Sequence, residues 1–151
     1  MVQTFGDGKN IYSVDMMFAY VNLFKPKSKS IKIKDLENML HQNVWSKGPH
    51  EQQITPMKVL ENPKKYKDHM RRIKQADLKY PIIVYDKFVI DGVHRLIKAY
   101  LEKKKIIKAI VFTKDLLQKF KIAKYGNWSK VDKLEIYNYI QMFYKEFSVK
   151  C

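Results

Sequence analysis

Residues Pro81 to Phe112 read PIIVYDKFVIDGVHRLIKAYLEKKKIIKAIVF, and the order of patterns in this stretch decides the fold. Ile82, Ile83 and Val84 make a short continuous apolar run, the signature of a well-buried strand. Tyr85-Asp86-Lys87-Phe88 is a tight connection, and Phe88, Val89 and Ile90 form the return strand. Asp91-Gly92 is a sharp turn. Val93, Leu96, Ile97, Tyr100 and Leu101 then recur at i, i+3, i+4, i+7 and i+8, which predicts an amphipathic helix. Lys103-Lys104-Lys105 closes it, because cations are favoured near the negative end of a helix. Ile106 to Phe112 is a further strand.

His94, Arg95 and Lys98 lie off the apolar stripe of that helix. A first helical turn leaves backbone N–H groups without intrahelical acceptors and carries about half a positive charge. A glycine just before it allows an anion to approach the backbone. Gly92, His94 and Arg95 therefore form a candidate anion cradle, with ordinary surface residues as the alternative. No GxxxxGK[ST] occurs, so this is not a Walker loop. Upstream, Asn62-Pro63 predicts a helix start, with Asn capping and Pro at the first helical position. The helix is expected to run to about Gln75 with Tyr66, Met70 and Ile73 inward. Lys65, Asp68, His69 and Arg72 fall on or near another face. Lys65 and Arg72 would lie two turns apart along one side, where both can reach one polyphosphate. The alternative is a solvated face on which Asp68 pairs with Lys65 or Arg72.

The chain has 151 residues, 46% of them hydrophobic and 13% aromatic. That supports a packed core and one domain, with an extension. No apolar run is long enough for a membrane helix. The first residues, MVQTFGDGKN, do not have the pattern of a secretory signal. The single cysteine, Cys151, permits no internal disulfide and fits a reducing compartment. An intracellular location is expected, cytoplasmic or nucleoid or nuclear. His41 and His50 lack partners at metal-ligand spacing, so a zinc site is not expected. The net charge of +15 points to a polyanion partner, or to the lysine-rich composition that AT-rich coding produces. Lysine supplies 27 of the 30 basic residues, and the arginines are Arg71, Arg72 and Arg95. Each arginine is informative, because the planar guanidinium matches phosphate oxygens.

Ser13 is expected to cap a helix with Val14, Met17, Phe18 and Val21 inward and Asp15 in its first turn. Lys25-Pro26-Lys27-Ser28-Lys29-Ser30 reads as a basic loop. Ile31 and Ile33 alternate with lysines as in a short strand or helix lead-in. Asp35 to Gln42 reads as a helix with Leu36, Met39 and Leu40 inward, docked through Trp45. Ser46-Lys47-Gly48-Pro49 marks an internal boundary. Gln52 to Thr55 reads as a strand ending at Pro56. Thr113 caps a short helix through Phe120, Tyr125-Gly126-Asn127 is a break, and Ser129 caps a final helix. The expected organisation is an extension over 1–50, a core over 51–126, and a terminal helix over 127–151.

PIIV…FVIDGVHRLIKAYLEKKKIIKAIVF resembles the core of the ParB/sulfiredoxin superfamily: a Pro-Ile strand, a hairpin return, Gly-x-[His/Arg]-Arg opening a helix, and a closing strand. The similarity extends upstream to ITPMKVLENPKKYKDHMRRI, Ile54 to Ile73, and spans Gln52 to Gly126. It implies an α+β fold, a small mixed sheet with packed helices, flanked here by an N-terminal helical extension and a C-terminal helix. By matching position it implies His94 and Arg95 on nucleotide phosphates, Gly92 in the turn, and Lys65 and Arg72 as nucleotide contacts. Val93 stands where sulfiredoxins carry their catalytic cysteine, so sulfinic acid repair is not expected. ParB-type CTPases carry a Gly-Glu-Arg-Arg-like version and a following helix-turn-helix, for which this chain has little room. Superfamily kinases use an acidic catalytic residue. Glu61, Asp68, Asp77 and Asp91 are candidates, with Asp91 nearest the phosphate turn, where it either holds a metal or accepts a proton, or only fixes the turn.

The resulting expectation is a nucleotide-binding protein that hydrolyses or transfers a phosphoryl group. Asp91 and His94 are the catalytic candidates. ATP, ADP or CTP is the ligand, with Mg²⁺ at Asp91. The alternatives are a basic module or ParB-like nuclease binding DNA or RNA through its lysine-rich surface, and a nucleotide-switched interaction module.

Overall fold

The computed structural model describes residues 3–46 and 53–147. Gly48, Pro49, His50 and Cys151 lie outside them. The fold is α+β, and the chain divides into two compact units, 1–26 with 112–151, and 27–111. This division differs from the boundaries expected at 50 and 126. Residues 27–46 belong to the unit that holds the hairpin and helix between Pro81 and Val111, and residues 112–126 to the other.

The unit over 27–111 is built on a four-stranded mixed sheet. Its strands are β3 (Lys29–Lys32), β6 (Ile82–Tyr85), β7 (Phe88–Asp91) and β8 (Ile106–Val111), in the order β3-β8-β6-β7. β6 and β8 run parallel, and the other two pairings are antiparallel. The β6–β7 turn places Asp86 at φ 47° and Lys87 at φ 62°, both left-handed, as in a two-residue I′ hairpin. Helix α4 (Val93–Leu101) makes the crossover to β8. Lys103 follows it at φ 57°. Lys104 N–H donates to the Ala99 carbonyl and Lys103 N–H to that of Tyr100, which is a Schellman ending with lysine where glycine is usual.

One face of this sheet carries the core. Ile82, Val84, Val89, Ile107 and Ala109 pack with Val93, Leu96 and Ile97 of α4, with Ile73 of α3 (Lys67–Gln75), and with Val59 of α2 (Pro56–Glu61). Leu36, Met39 and Leu40 complete it from a 3-10 helix over Ile33–His41. A helix was expected over Asp35 to Gln42. The observed segment has the expected inward residues, begins two residues earlier, and is wound as a 3-10 helix. β4 (Trp45–Ser46) and β5 (Gln53–Ile54) form a small antiparallel pair.

The segment from Asn62 to Gln75 differs from expectation. Thr55 caps α2, and Pro56 takes its first position. Asn62 ends that helix, its side-chain amide donating to the Lys58 carbonyl at 3.0 Å. The ring of Pro63 disfavours helical backbone at the preceding residue, so Asn62 becomes a stop, and α3 starts only at Lys67.

The other unit has an antiparallel sheet in the order β1-β2-β9, from β1 (Thr4–Gly6), β2 (Asn10–Ser13) and β9 (Lys121–Lys124). Ser13 caps α1 (Val14–Phe24), its hydroxyl accepting from Met16 N–H. Thr113 caps α5 (Lys114–Gln118). The single terminal helix expected from Ser129 is two helices, α6 (Trp128–Lys133), capped by Asn127, and α7 (Ile136–Phe147). Leu134 turns to extended backbone at ψ 131°, and Asn138 accepts from Glu135 N–H at 2.8 Å to restart the helix. Tyr20, Phe112, Phe120 and Phe147 are in ring contact within this unit.

Candidate functional site

The end of β7 and the start of α4 are shaped by a bulge and a glycine. Ile83 pairs with Asp91, while Val84 pairs with Val89, so Ile90 is the extra residue. Paired residues share a sheet face, and neighbours along a strand alternate. The bulge therefore turns Asp91 away from the core face that Val89 uses. Gly92 follows at φ 99°. A β-carbon there would lie 2.5 Å from Ile82 Cγ2 and 3.0 Å from Arg95 Nη2. Glycine is required by backbone conformation and by close packing together.

Arg95 is largely committed inside the protein. Its Nη2 donates to Asp91 Oδ2 at 2.8 Å, and its Nη1 to the carbonyls of Tyr80 at 3.2 Å and Pro81 at 3.1 Å. Side-chain exposure is 19% for Arg95 and 22% for Asp91. Three of the five guanidinium N–H groups are thus engaged, leaving two for a ligand. Lys98, one turn on, donates to the Lys74 carbonyl at 3.1 Å and that of Ala76 at 2.6 Å. It neutralises the C-terminal end of α3.

His94 turns toward α3. Its Nε2 is 3.1 Å from Nδ1 of His69, one nitrogen carrying the hydrogen and the other accepting it. Both rings stack on Trp45, with centroids at 4.3 Å for His69 and 4.4 Å for His94 and planes within 17°. The imidazole centroids are only 5.3 Å apart. Rings on opposite sides of the indole would be separated by the two stacking distances together, so both histidines lie edge to edge on one face of Trp45. Burial, the neighbouring His69 and the charges of Arg72 and Arg95 push the His94 pKa down to about 4. Burial, then Arg72, lowers that of His69. His94 is a neutral imidazole at pH 7.

An open pocket of about 330 Å³ lies beside these groups, lined by Arg72, Asp77, Tyr80, Asp91, Gly92, His94 and Arg95, with Ala76. Of the residues expected to meet a nucleotide, Arg72, Asp91, Gly92, His94 and Arg95 are brought together here. Lys65 is not. It precedes α3, is exposed, and its Nζ lies 5.4 Å from the Tyr66 ring centroid. The expected two-turn alignment with Arg72 fails because α3 begins after Lys65. Among the acidic candidates, Asp68 is exposed and pairs with Arg71 at 3.0 Å. Glu61 closes α2. Only Asp77 and Asp91 reach the pocket.

The lining charges balance, two arginines against two aspartates. Asp91 is paired with Arg95, and Arg72 is the lining cation without an ion pair. Among the described residues no acceptor bonds its guanidinium. The N–H groups of Val93, His94 and Arg95 precede the first intrahelical bond, from Leu96 N–H to the Gly92 carbonyl at 3.0 Å. Asp91 was expected as a Mg²⁺ ligand and catalytic carboxylate. Its Oδ2 accepts from Arg95, and among the described residues no group of three His, Cys, Asp or Glu is arranged to hold a metal ion.

Trp45 and His69 complete the cluster; the sequence suggests Trp45 as a docking residue and places His69 on or near the face of Lys65, Asp68 and Arg72, facing either a polyphosphate or solvent. The available signal was small: His69 sits on the same predicted face as Arg72. No protein-family model, curated protein or solved structure matches the chain.

Proposed function

We propose that the pocket beside α4 binds the phosphates of a nucleotide, in the manner of a ParB/sulfiredoxin-like core, and that the protein hydrolyses or transfers the terminal phosphoryl group. The observation that carries this reading is the convergence of Arg72, Arg95 and the first turn of α4 on one open pocket. Charge-assisted bonds from guanidinium and backbone N–H groups are the strong ones for phosphate oxygens. The Asp91–Arg95 pair holds the turn that presents them. Phosphoryl transfer relies on positioning and charge neutralisation more than on a strong nucleophile. His94, uncharged at pH 7, is a pocket group suited to orient a substrate or a water by hydrogen bonding, with its Nε2 held by His69.

The test is calorimetric titration with ATP, ADP, CTP and GTP, with and without Mg²⁺, beside Arg72→Ala. Arg72 is the clean position, because Arg95→Ala would also release Asp91 and the Tyr80 and Pro81 carbonyls. Arg72→Ala is expected to weaken binding about 10- to 100-fold. Failure of all four nucleotides to bind, or unchanged affinity in the variant, removes the proposal. Phosphate release by wild type and His94→Asn measures turnover.

A second reading, DNA or RNA binding through the lysine-rich surface, is favoured by one feature. Only two ion pairs, Arg71–Asp68 and Arg95–Asp91, form among the described residues, which leaves the excess lysine charge largely uncompensated.

A further inference from the structure

Resting on the phosphate site above, we propose that the turn over residues 76–81 is a base-binding element. In it Tyr80 stacks on the ring of a nucleobase, so that the ligand is a nucleoside phosphate rather than a bare polyphosphate.

The lining of the pocket is chemically mixed. Arg72, Arg95 and the start of α4 contribute donors, and Asp77 and Tyr80 contribute a carboxylate and an aromatic residue. A carboxylate repels phosphate oxygens and accepts from neutral donors such as ribose hydroxyls or base amino groups. Asp77 keeps an oxygen for this role: Oδ1 accepts from Lys79 N–H at 3.0 Å, and among the described residues Oδ2 has no partner. A ligand with an anionic tail and a neutral head carrying hydrogen-bond donors matches this lining.

Tyr80 supplies the flat apolar surface. The residue lines the pocket and is 55% exposed. Lys79 Nζ, 5.1 Å from the ring centroid, covers one face at most. An aromatic platform beside a cationic phosphate track is the arrangement by which proteins hold nucleotides by stacking.

The turn is rigid in a way that an idle surface loop need not be. Tyr80 N–H donates to the Asp77 carbonyl at 3.3 Å. Arg95 holds the Tyr80 and Pro81 carbonyls at one end, and Lys98 holds the Ala76 carbonyl at the other. Two cations of α4 thus fix the platform relative to the helix start that would meet the phosphates. Preorganisation of this kind reduces the entropy lost on binding.

The experiment is titration of wild type, Tyr80→Ala, Tyr80→Phe and Arg72→Ala with ATP and with inorganic tripolyphosphate at one fixed salt concentration. ATP is expected to bind wild type more tightly than tripolyphosphate. Tyr80→Ala should weaken ATP about 5- to 100-fold and leave tripolyphosphate unchanged. Tyr80→Phe, which keeps the ring, should bind ATP like wild type. Arg72→Ala should weaken both ligands. Should Tyr80→Ala not fold, ring-proton NMR shifts of Tyr80 in wild type decide, moving with ATP and not with tripolyphosphate. Equal affinity for the two ligands, an unchanged ATP affinity in Tyr80→Ala, or ring shifts that do not distinguish the ligands overturns the base-binding role while leaving the phosphate site standing. Binding of neither ligand overturns both.

Discussion

At the scale of single residues, the histidine pair on Trp45 ties stability to pH. His94 has its pKa held at about 4, below the ordinary value near 6.5. Between these values the unfolded chain takes up a proton that the folded protein does not, so stability rises with pH across this window. The contribution is complete above about pH 6.5 and is lost as pH falls toward 4. The lowered pKa of His69 acts in the same direction. Part of the His94 ring meets solvent, so the loss is on the order of 1–2 kcal/mol rather than the full shift. Thermal melts from pH 8 to pH 4 should show this fall, and His94→Gln should flatten it. A His94→Gln profile parallel to wild type would place the pH dependence elsewhere. Gly92 makes a second residue-scale case. Gly92→Ala combines left-handed backbone with a β-carbon 2.5 Å from Ile82 Cγ2, and should destabilise by about 2 kcal/mol or more in chemical denaturation.

At the scale of elements, positive-φ lysines offer a direct test. Lys103 sits at φ 57° at the end of α4, and Lys87 at φ 62° in the β6–β7 turn. Both carry the steric cost that a β-carbon meets in this region. Lys103→Gly and Lys87→Gly should each raise stability by about 0.5–1 kcal/mol, read from urea midpoints. A lower midpoint for either would mean that its lysine makes a contact worth more than the strain. The same elements show what the sequence makes legible. The run from Ile82 to Val111 was readable because each element follows the last, with unbroken periodicity and a turn at each joint. The stop at Asn62 was missed because Asn-Pro suits both a helix start and the residues after a helix end. The β1-β2-β9 sheet was missed because Ile11 pairs with Ala123, near opposite ends of the chain, and short strands carry no periodicity that names a distant partner. For the candidate site, Gly92 and Arg95 were visible as a local motif. Trp45 and His69 were not, since three separate elements must pack before their rings meet.

At the scale of the whole molecule, charge separates the two functional readings. Thirty lysines and arginines face fifteen aspartates and glutamates, and such an excess repels itself at low ionic strength. Raising NaCl from about 0.05 M to about 0.5 M shortens the screening length from about 14 Å to about 4 Å. It should therefore raise the melting temperature by several degrees. A fall would mean that attractive pairs outweigh the repulsion. The same salt series tests binding. Nucleic-acid association releases counterions, so its affinity falls steeply and log-linearly with salt, with a slope near −0.9 per phosphate neutralised on duplex DNA. A small nucleotide seated on Arg72 and backbone N–H groups releases far fewer ions and should show a shallow slope. A steep slope with DNA that heparin reproduces at equal affinity would mark general polyanion attraction. A shallow slope with ATP that Arg72→Ala abolishes would mark the pocket. These responses can coexist, because the lysine surface and the Arg72 pocket draw on different charges, and Arg72→Ala should leave the DNA slope nearly unchanged.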